Sequence, residues 1–238
     1  MMPKQAMVLA AGLGKRMRPL TDHIPKPMIE VAGRTLVDRA IDQLEAAGVA
    51  KVVVNSSYKA EILEAHLAKR TMPEIVFSRE VEPLETGGGI AHALGHFGAD
   101  PFFAINGDII WVNGNAPALQ RLAGHWNEDL DALLLLHPVA AAIGYEGPGD
   151  FFVDSKNNLI RRAKDQKAPY VYAGVQMLHP RLFNHCPGGA FSLNVLYDKA
   201  MQSAPPRINA LIHDGVWLHV GDVAGRDNAE AYLLSRGL

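Results

Sequence analysis

Two basic residues, Arg16 and Lys26, lie in a glycine- and proline-containing stretch that follows an apolar segment near the start of the chain. The apolar segment, residues 7–11, predicts a buried first strand, and Gly12 and Gly14 predict a turn that a ligand can approach closely. Backbone N–H groups exposed after a strand, together with fixed positive charge, bind anions such as phosphate. Three prolines would stiffen the segment around Lys26. These residues therefore predict a phosphate-binding loop.

The loop differs from two common phosphate-binding motifs. A Walker A loop needs a Lys followed by Ser or Thr, and no such pair follows a glycine here at the required spacing. A dinucleotide fingerprint needs a third glycine where this chain has Met17. The alternative is a glycine-rich turn on a basic surface without a ligand. That alternative would explain the two glycines, but it would not explain why Arg16 and Lys26 occur together with the Pro-Lys-Pro segment.

From Leu9 through Pro27 the chain matches, without a gap, the signature L-A-A-G-x-G-x-R-[LM]-x-P-L-T-x-x-x-P-K-P. It thereby resembles the sugar-1-phosphate nucleotidyltransferases. The resemblance implies that Arg16 holds the β- and γ-phosphates that leave as pyrophosphate, and that Lys26 bridges the reacting phosphates. It also implies nucleotide contacts from the loop residues Ala10, Ala11, Gly12, Leu13 and Gly14.

Composition excludes several other classes of protein. The 238 residues are 48% hydrophobic and 20% charged with a net charge of −2, so no general attraction to nucleic acid or membranes is expected. The single cysteine, Cys186, excludes an internal disulfide and is typical of a reducing compartment. No signal-peptide pattern and no apolar run of about 18 residues is present. We therefore expect a cytoplasmic protein, a monomer or homodimer, that binds neither nucleic acid nor membranes.

Apolar periodicity predicts alternating strands and helices through the first half of the chain. This order is typical of a parallel sheet covered by helices, with ligands at the carboxyl ends of the strands. We predict one α/β domain over residues 1–238, a Rossmann-like nucleotidyltransferase fold with a mostly parallel mixed sheet flanked by helices. The nucleotide-binding half would span about 1–110 and the sugar-binding half about 111–238.

A second glycine-rich stretch, Glu-Pro-Leu-Glu-Thr-Gly-Gly-Gly-Ile, begins at Glu82. It predicts either a flexible turn or a floor under a nucleobase, where any side chain would collide. Backbone groups at Gly87 and Gly88 could then pair with a pyrimidine edge, and Glu82 could accept from a ring N–H. The family usually has P-L-G-T-A here. The present variant resembles the uridylyltransferases that act on N-acetylmuramate α-1-phosphate, which favours UTP.

Asp108 is the first candidate metal ligand. It follows an apolar strand within Asn106-Gly107-Asp108, where a carboxylate is well placed for Mg²⁺, although a turn in which Asp108 caps a helix has the same pattern. The resemblance implies a second ligand in the pattern W-x-D-x-G-T. Aligning Trp217 with that Trp puts His219 at the ligand position and Asp222 at the Thr position. His219 could bind Mn²⁺, Asp222 could reach the metal, or water could complete a Mg²⁺ shell held by Asp108 and the nucleotide.

The resemblance also implies sugar contacts from the second half of the chain. The candidates are Asn106, Asp150 and Gly174, and the last belongs to the family's Tyr-x-Gly strand. Ser192 stands where relatives tend to carry Lys, so one sugar or phosphate contact is expected to differ.

The implied reaction is transfer of a uridylyl group from UTP to a sugar α-1-phosphate, with release of pyrophosphate. Because the sugar phosphate is already an anion near neutral pH, no general base is needed. The resemblance points to N-acetylmuramate 1-phosphate and hence to peptidoglycan recycling. The alternatives are mannose-1-phosphate guanylyltransferase, another NDP-sugar pyrophosphorylase, or a non-catalytic domain that binds nucleotide sugars.

Overall fold

The computed structural model describes all residues from Met1 to Leu238. The strands are β1 (Gln5–Leu9), β2 (Glu30–Val31), β3 (Arg34–Thr35), β4 (Lys51–Ser56), β5 (Glu74–Arg79), β6 (Phe102–Asn106), β7 (Ile109–Val112), β8 (Ala132–Pro138), β9 (Phe151–Val153), β10 (Leu159–Arg161), β11 (Tyr170–Leu178), β12 (Ile208–Ile212) and β13 (Val216–His219). The α-helices are α1 (Leu36–Ala46), α2 (Ala60–Leu67), α3 (Glu85–Ala93), α4 (Ala118–His125), α5 (Asn194–Gln202) and α6 (Val223–Arg236). Short 3₁₀ turns span Lys15–Met17, Leu20–Asp22, Lys26–Met28, Leu94–His96, Val139–Ala141 and Pro180–Phe183.

A nine-stranded mixed sheet runs through both halves of the chain. Its path is β10-β9-β11-β6-β1-β4-β5, and β8 joins β11 to β12 beside that path. The block β6-β1-β4-β5 is parallel, as the alternation of strands and helices predicts, and β8 and β12 are also parallel. β11 runs antiparallel to β6, β8 and β9, so the parallel character of the sheet is strongest in the first half of the chain.

Alternate side chains of the strands fill two separate cores. In β1, Ala6 and Val8 face the core that α1, α2 and α4 cover, whereas Met7 faces the core that α3 and α5 cover. This alternation is the two-residue period of a strand, and full burial on both faces explains why the strands are apolar without a polar face. A third cluster packs α6 against β13 and the 3₁₀ turn at Met17.

Helix α3 begins at Glu85, two residues before the first of the three glycines. The three glycines therefore lie inside its first turns. None of the helices combines the length and the apolar composition that a membrane crossing needs.

Candidate active site

The loop after β1 is closed by contacts between its two ends. Gly14 has φ +59, and a Cβ there would lie 2.9 Å from the Cβ of Lys26. The Thr21 hydroxyl donates to the Gly14 carbonyl at 2.9 Å. Only glycine takes this backbone conformation without strain and leaves room for the Lys26 stem. The loop therefore depends on Gly14 to hold Lys26 close to the end of β1.

Lys26 and Asp108 form the central ion pair of the site. The Lys26 Nζ lies 2.7 Å from the Asp108 Oδ2, and the Lys26 side chain is only 9% exposed. Asp108 is placed by the tight turn before it, because the Gly107 N–H donates to the Leu9 carbonyl at 2.8 Å. A Cβ at Gly107 would lie 3.0 Å from that same oxygen. Gly107 thus allows the end of β6 to pack closely against the end of β1, and this packing places Asp108 beside Lys26.

A cleft of about 220 Å³ opens beside this ion pair, at the carboxyl ends of the parallel strands. The lining residues come from the signature loop, from the ends of β4, β5 and β6, and from the start of α3. They are Leu9, Ala10, Ala11, Gly12, Lys26, Pro27, Asn55, Glu80, Pro83, Glu85, Thr86, Asn106 and Asp108. Strand ends with a charged loop are where open α/β sheets bind ligands, and the position agrees with the predicted one.

Asn55 and Glu80 are two buried polar residues of this cleft that the sequence analysis missed. The Asn55 Oδ1 accepts from the Ala10 N–H at 2.6 Å, and the Asn55 Nδ2 donates to the Glu80 Oε1 at 2.6 Å. The Glu80 Oε2 accepts from the Leu84 N–H at 2.8 Å. This chain of hydrogen bonds links the signature loop to the segment before α3. Asn55 directly follows the apolar run of β4, and Glu80 is the first residue after β5, so polar residues at the ends of these strands were the available signal.

Three predicted base contacts are placed differently by the structure. The Gly87 and Gly88 N–H groups both donate to the Phe191 carbonyl, at 2.9 and 3.1 Å, so neither is free for a pyrimidine edge. Both glycines are buried, and a Cβ on either would overlap the segment around Phe191. Their N–H groups thus serve close packing between the two halves of the chain, and a contact of the other backbone groups here with a base stays a prediction. Glu82 is exposed and lies outside the lining of the cleft, whereas Glu80 belongs to it.

The predicted sugar contacts fall on both sides of β11. Gly174 has φ +76 at an irregularity in the pairing of β11 with β8, and a Cβ there would lie 3.1 Å from the Asn106 Nδ2. Asn106 lines the cleft beside Asp108. The Asp150 Oδ2 accepts from the Tyr172 N–H at 2.9 Å, which fixes Asp150 against β11. Gly174 and Asn106 are therefore neighbours, whereas Asp150 is not among the residues that line the cleft.

His219 shares its surroundings with the charged groups of the signature. Burial lowers the pKa of His219, Lys26 and Arg16 lower it further, and Asp108 and Asp222 act in the opposite direction. The imidazole is therefore biased towards its neutral form, which keeps a lone pair for hydrogen bonding or metal binding. Arg16 is exposed in the 3₁₀ turn Lys15–Met17. Arg16, Lys26, Asp108 and Asp222 thus all act on the charge state of His219, and the ligands of these residues stay a prediction.

Asp222 is the N-cap residue of α6. Its Oδ1 accepts from the Gly225 N–H at 2.8 Å and caps α6, so one carboxylate oxygen has a structural role. This resembles the role of a Thr at the same position, since both side chains are good N-caps. The second oxygen of Asp222 and the imidazole of His219 stay candidate metal ligands beside Asp108.

Comparison with known proteins identifies the family. Residues 6–149 match the MobA-like NTP transferase domain. Over 238 residues, the chain is 43% identical to the N-acetylmuramate alpha-1-phosphate uridylyltransferase of Caulobacter vibrioides, and the alignment covers 97% of each chain. The chain belongs to the sugar-1-phosphate nucleotidyltransferases. An uridylyltransferase of the same name from Neisseria meningitidis is 32% identical, over 95% of this chain and 97% of that protein.

The fold of this nucleotidyltransferase is shared with distant enzymes. The inositol-1-phosphate CTP transferase from T. maritima superimposes with a TM-score of 0.79, over 98% of this chain and 97% of that one, at 19% identity. At that identity the likeness establishes the fold alone. It confirms the predicted mixed sheet flanked by helices.

Nucleotidyltransferases of this kind generally use a divalent metal. No three His, Cys, Asp or Glu side chains of this nucleotidyltransferase converge on one point as a preformed metal cage. Mg²⁺ does not require such a cage, since it is commonly held by one or two carboxylates together with substrate phosphates and water. Asp108, with its side chain 39% exposed next to the cleft, fits that pattern.

Proposed function

We propose that this nucleotidyltransferase transfers a uridylyl group from UTP to N-acetylmuramate α-1-phosphate, giving the UDP-sugar and pyrophosphate. The observation that carries the proposal is the ion pair of Lys26 and Asp108 at the mouth of a cleft that the signature loop forms. The identity to uridylyltransferases of that name over nearly the whole chain supports the choice of substrates.

The reaction is an in-line displacement at phosphorus. An oxygen of the sugar phosphate attacks the α-phosphorus of UTP, and the bond from that phosphorus to the bridging oxygen of pyrophosphate breaks. The attacking oxygen is an anion near neutral pH, so the site needs no proton acceptor. Catalysis then consists of positioning two polyanions and stabilising the charge of the transition state.

Each charged residue has a distinct task in this displacement. Lys26 holds a non-bridging oxygen of the α-phosphate, and Arg16 with the loop backbone at Gly12 holds the departing pyrophosphate. Mg²⁺ bound at Asp108 would supply further neutralisation of the phosphate charge, and Mn²⁺ could take its place. His219 or Asp222 would complete that shell directly or through water.

On the sugar side, Asn106 and Gly174 are the best-placed candidates. Gly174 leaves the Asn106 amide uncovered, so the amide can meet a sugar hydroxyl or the sugar phosphate. Asp150 would act from a greater distance, since one of its oxygens is held by the Tyr172 N–H. Transfer to a muramate sugar would place the protein in peptidoglycan recycling in the cytoplasm.

Release of pyrophosphate tests the proposal directly. We would supply Mg²⁺ with UTP, GTP, CTP, ATP or dTTP, each paired with the 1-phosphates of N-acetylmuramate, N-acetylglucosamine, glucose and mannose. Release confined to UTP with the muramate sugar is expected. Release with GTP and mannose 1-phosphate would keep the mechanism and overturn the substrates. No release with any pair, in Mg²⁺ or Mn²⁺, would favour a non-catalytic nucleotide-sugar-binding domain.

A further inference from the structure

Glu85, the first residue of α3, has a backbone conformation that residues other than glycine rarely adopt. Its φ is +59, in the left-handed region, and its side chain is exposed on the lining of the nucleotide cleft. Glycine takes this conformation without strain, whereas a residue with a Cβ does not. The related signature P-L-G-T-A has glycine at this position, so the glutamate is a departure from the unstrained choice.

Hydrogen bonds on both sides hold Glu85 in that conformation. Before it, the Leu84 N–H donates to the Glu80 Oε2 at 2.8 Å, and the Leu84 carbonyl accepts from the Phe191 N–H at 3.2 Å. After it, the Thr86 Oγ1 accepts from the Leu193 N–H at 3.0 Å. With both neighbours fixed to other parts of the protein, the backbone at Glu85 has no freedom to relax. Strain that is held in this manner persists typically at ligand sites.

The carboxylate of Glu85 is available for a ligand. Glu85 lines the cleft with an exposed side chain and forms no ion pair, and Arg79, the arginine before the segment that leads to α3, pairs with Glu61 and Glu64 instead. An ionised carboxylate only accepts hydrogen bonds, and it repels phosphate. The part of a nucleotide that it can contact is therefore the nucleoside, through a ribose hydroxyl or a base N–H.

We infer that Glu85 is a specificity-determining residue that accepts a hydrogen bond from the nucleoside of the bound nucleotide. This deepens the proposed function and rests on it for the identity of the nucleotide. The Lys26 side of the cleft takes the phosphates, and the α3 side, through Glu85, takes the ribose or the base. The strained backbone aims the carboxylate at that donor.

Two variants separate the side chain from the backbone strain. Glu85→Gly removes both, and Glu85→Gln removes the negative charge while it keeps the strain. We would measure UTP binding by calorimetry in Mg²⁺ without any sugar phosphate, and the melting temperature of each variant. Loss of a charge-assisted hydrogen bond is expected to weaken UTP binding by about ten- to a hundredfold in both variants. Only Glu85→Gly should melt higher, by about 2–4 °C.

Ala32→Gly is the matched control. Ala32 also has a positive φ, 48°, but it lies in the β2–β3 hairpin away from the cleft. Its replacement is expected to leave UTP binding unchanged. Unchanged UTP binding in Glu85→Gly and Glu85→Gln would overturn the inference and assign Glu85 to the loop structure alone.

Comparison of UTP with dUTP tells the two donors apart. If the ribose 2′-hydroxyl is the donor, both Glu85 variants lose affinity for UTP and not for dUTP. If a base N–H or the 3′-hydroxyl is the donor, both ligands lose affinity equally.

Because sugar phosphate is absent, these affinities are independent of turnover. A protein that binds UTP through Glu85 but releases no pyrophosphate would overturn the proposed reaction and keep this inference, and a wild-type protein that binds no UTP would overturn both.

Discussion

At the residue scale, the pairing of Lys26 with Asp108 sets the electrostatics of the cleft. Each neutralises the other at 2.7 Å, with Lys26 almost fully buried. A nucleotide phosphate competes with Asp108 for Lys26, and a divalent cation competes with Lys26 for Asp108. Nucleotide and cation together satisfy both residues, so the pair should favour joint binding over binding of either one alone.

Asp108→Asn should therefore have opposite effects on two measurements. Turnover in Mg²⁺ should fall by about 10²-fold or more, because an electrostatic stabiliser of the reaction is lost. UTP affinity in excess EDTA should rise by about two- to fivefold, because Lys26 is no longer neutralised. Pyrophosphate release and calorimetry measure the two effects.

Asp214→Asn is the control for this variant, since Asp214 pairs with Arg121 away from the cleft. It should change neither quantity. A fall of metal-free UTP affinity in Asp108→Asn would contradict the competition between Asp108 and phosphate for Lys26.

Gly174 is a second residue whose size and conformation matter. A methyl group in Gly174→Ala would lie 3.0 Å from the Ile109 Cγ2 and 3.1 Å from the Asn106 Nδ2, at a φ of +76. We expect a loss of about 1–3 kcal/mol in the free energy of unfolding. We also expect the variant to raise the KM for the sugar phosphate more than the KM for UTP. Urea unfolding and steady-state kinetics measure both quantities.

Gly124→Ala provides the opposite case in the same protein. Gly124 lies in α4 with no atom within 4 Å of its added Cβ. This change should stabilise the protein by about 0.5–1 kcal/mol and leave KM unchanged. If the two alanine variants changed the free energy of unfolding and KM in the same way, the role assigned to Gly174 would be refuted.

At the scale of elements, residues from other parts of the chain hold the signature loop and the segment before α3 in place around the cleft. Asn55 at the end of β4 holds the signature loop, and Glu80 after β5 holds the segment before α3. Phe191, from the second half of the chain, binds the first turn of α3 through its carbonyl. The loops are therefore positioned by β4, β5 and the segment before α5, in addition to the contacts within the signature loop itself.

Asn55→Ala tests this dependence. It leaves the buried Ala10 N–H without its acceptor and Glu80 without one donor, so about 1–3 kcal/mol of the free energy of unfolding should be lost. UTP binding should weaken as well, because Ala10 and Glu80 both line the cleft. The exposed Asn115 bonds only to Asp214, so Asn115→Ala should cost about 0.5 kcal/mol or less. Normal UTP affinity in Asn55→Ala would show that the signature loop keeps its shape unaided.

At the scale of the whole molecule, two buried histidines couple stability to pH. His137 and His213 are 1% and 2% exposed, with ring centroids 5.9 Å apart, on β8 and just after β12. Burial lowers the pKa of both, and His137 further lowers that of His213. Both side chains are thus neutral in the folded protein at pH values where they are protonated in the unfolded chain.

Stability should therefore fall on acidification. Below the ordinary histidine pKa of about 6.5, the unfolded state takes up protons that the folded state refuses. The free energy of unfolding should drop by up to about 1.4 kcal/mol per pH unit for each histidine, until the pH reaches the lowered folded-state values. Urea unfolding at pH 7.5, 6.5 and 5.5 measures the slope. His213→Gln should have a shallower slope than the wild type, and an identical slope would refute the assignment.

Local sequence determined the parts of this protein that depend on neighbours along the chain. Strand and helix alternation predicted the parallel block of the sheet, because burial on both faces leaves the centres of β1, β4 and β6 apolar. The contiguous signature located the loop and Lys26, and the polar turn after β6 located Asp108. Two features depended on contacts between distant parts of the chain: the packing of Gly87 and Gly88 on Phe191, and the antiparallel pairing of β11 with β6.

Tertiary structure alone decided which groups are still free to bind. The sequence put Glu82, Gly87 and Gly88 at a base, but long-range hydrogen bonds engage the two glycine N–H groups, and Glu82 is exposed outside the cleft lining. The same packing buries Asn55 and Glu80 under the cleft and holds Glu85 in its left-handed conformation. A residue type fixes what a side chain can donate or accept. Whether that capacity is already satisfied depends on partners far along the chain, which meet only in the folded molecule.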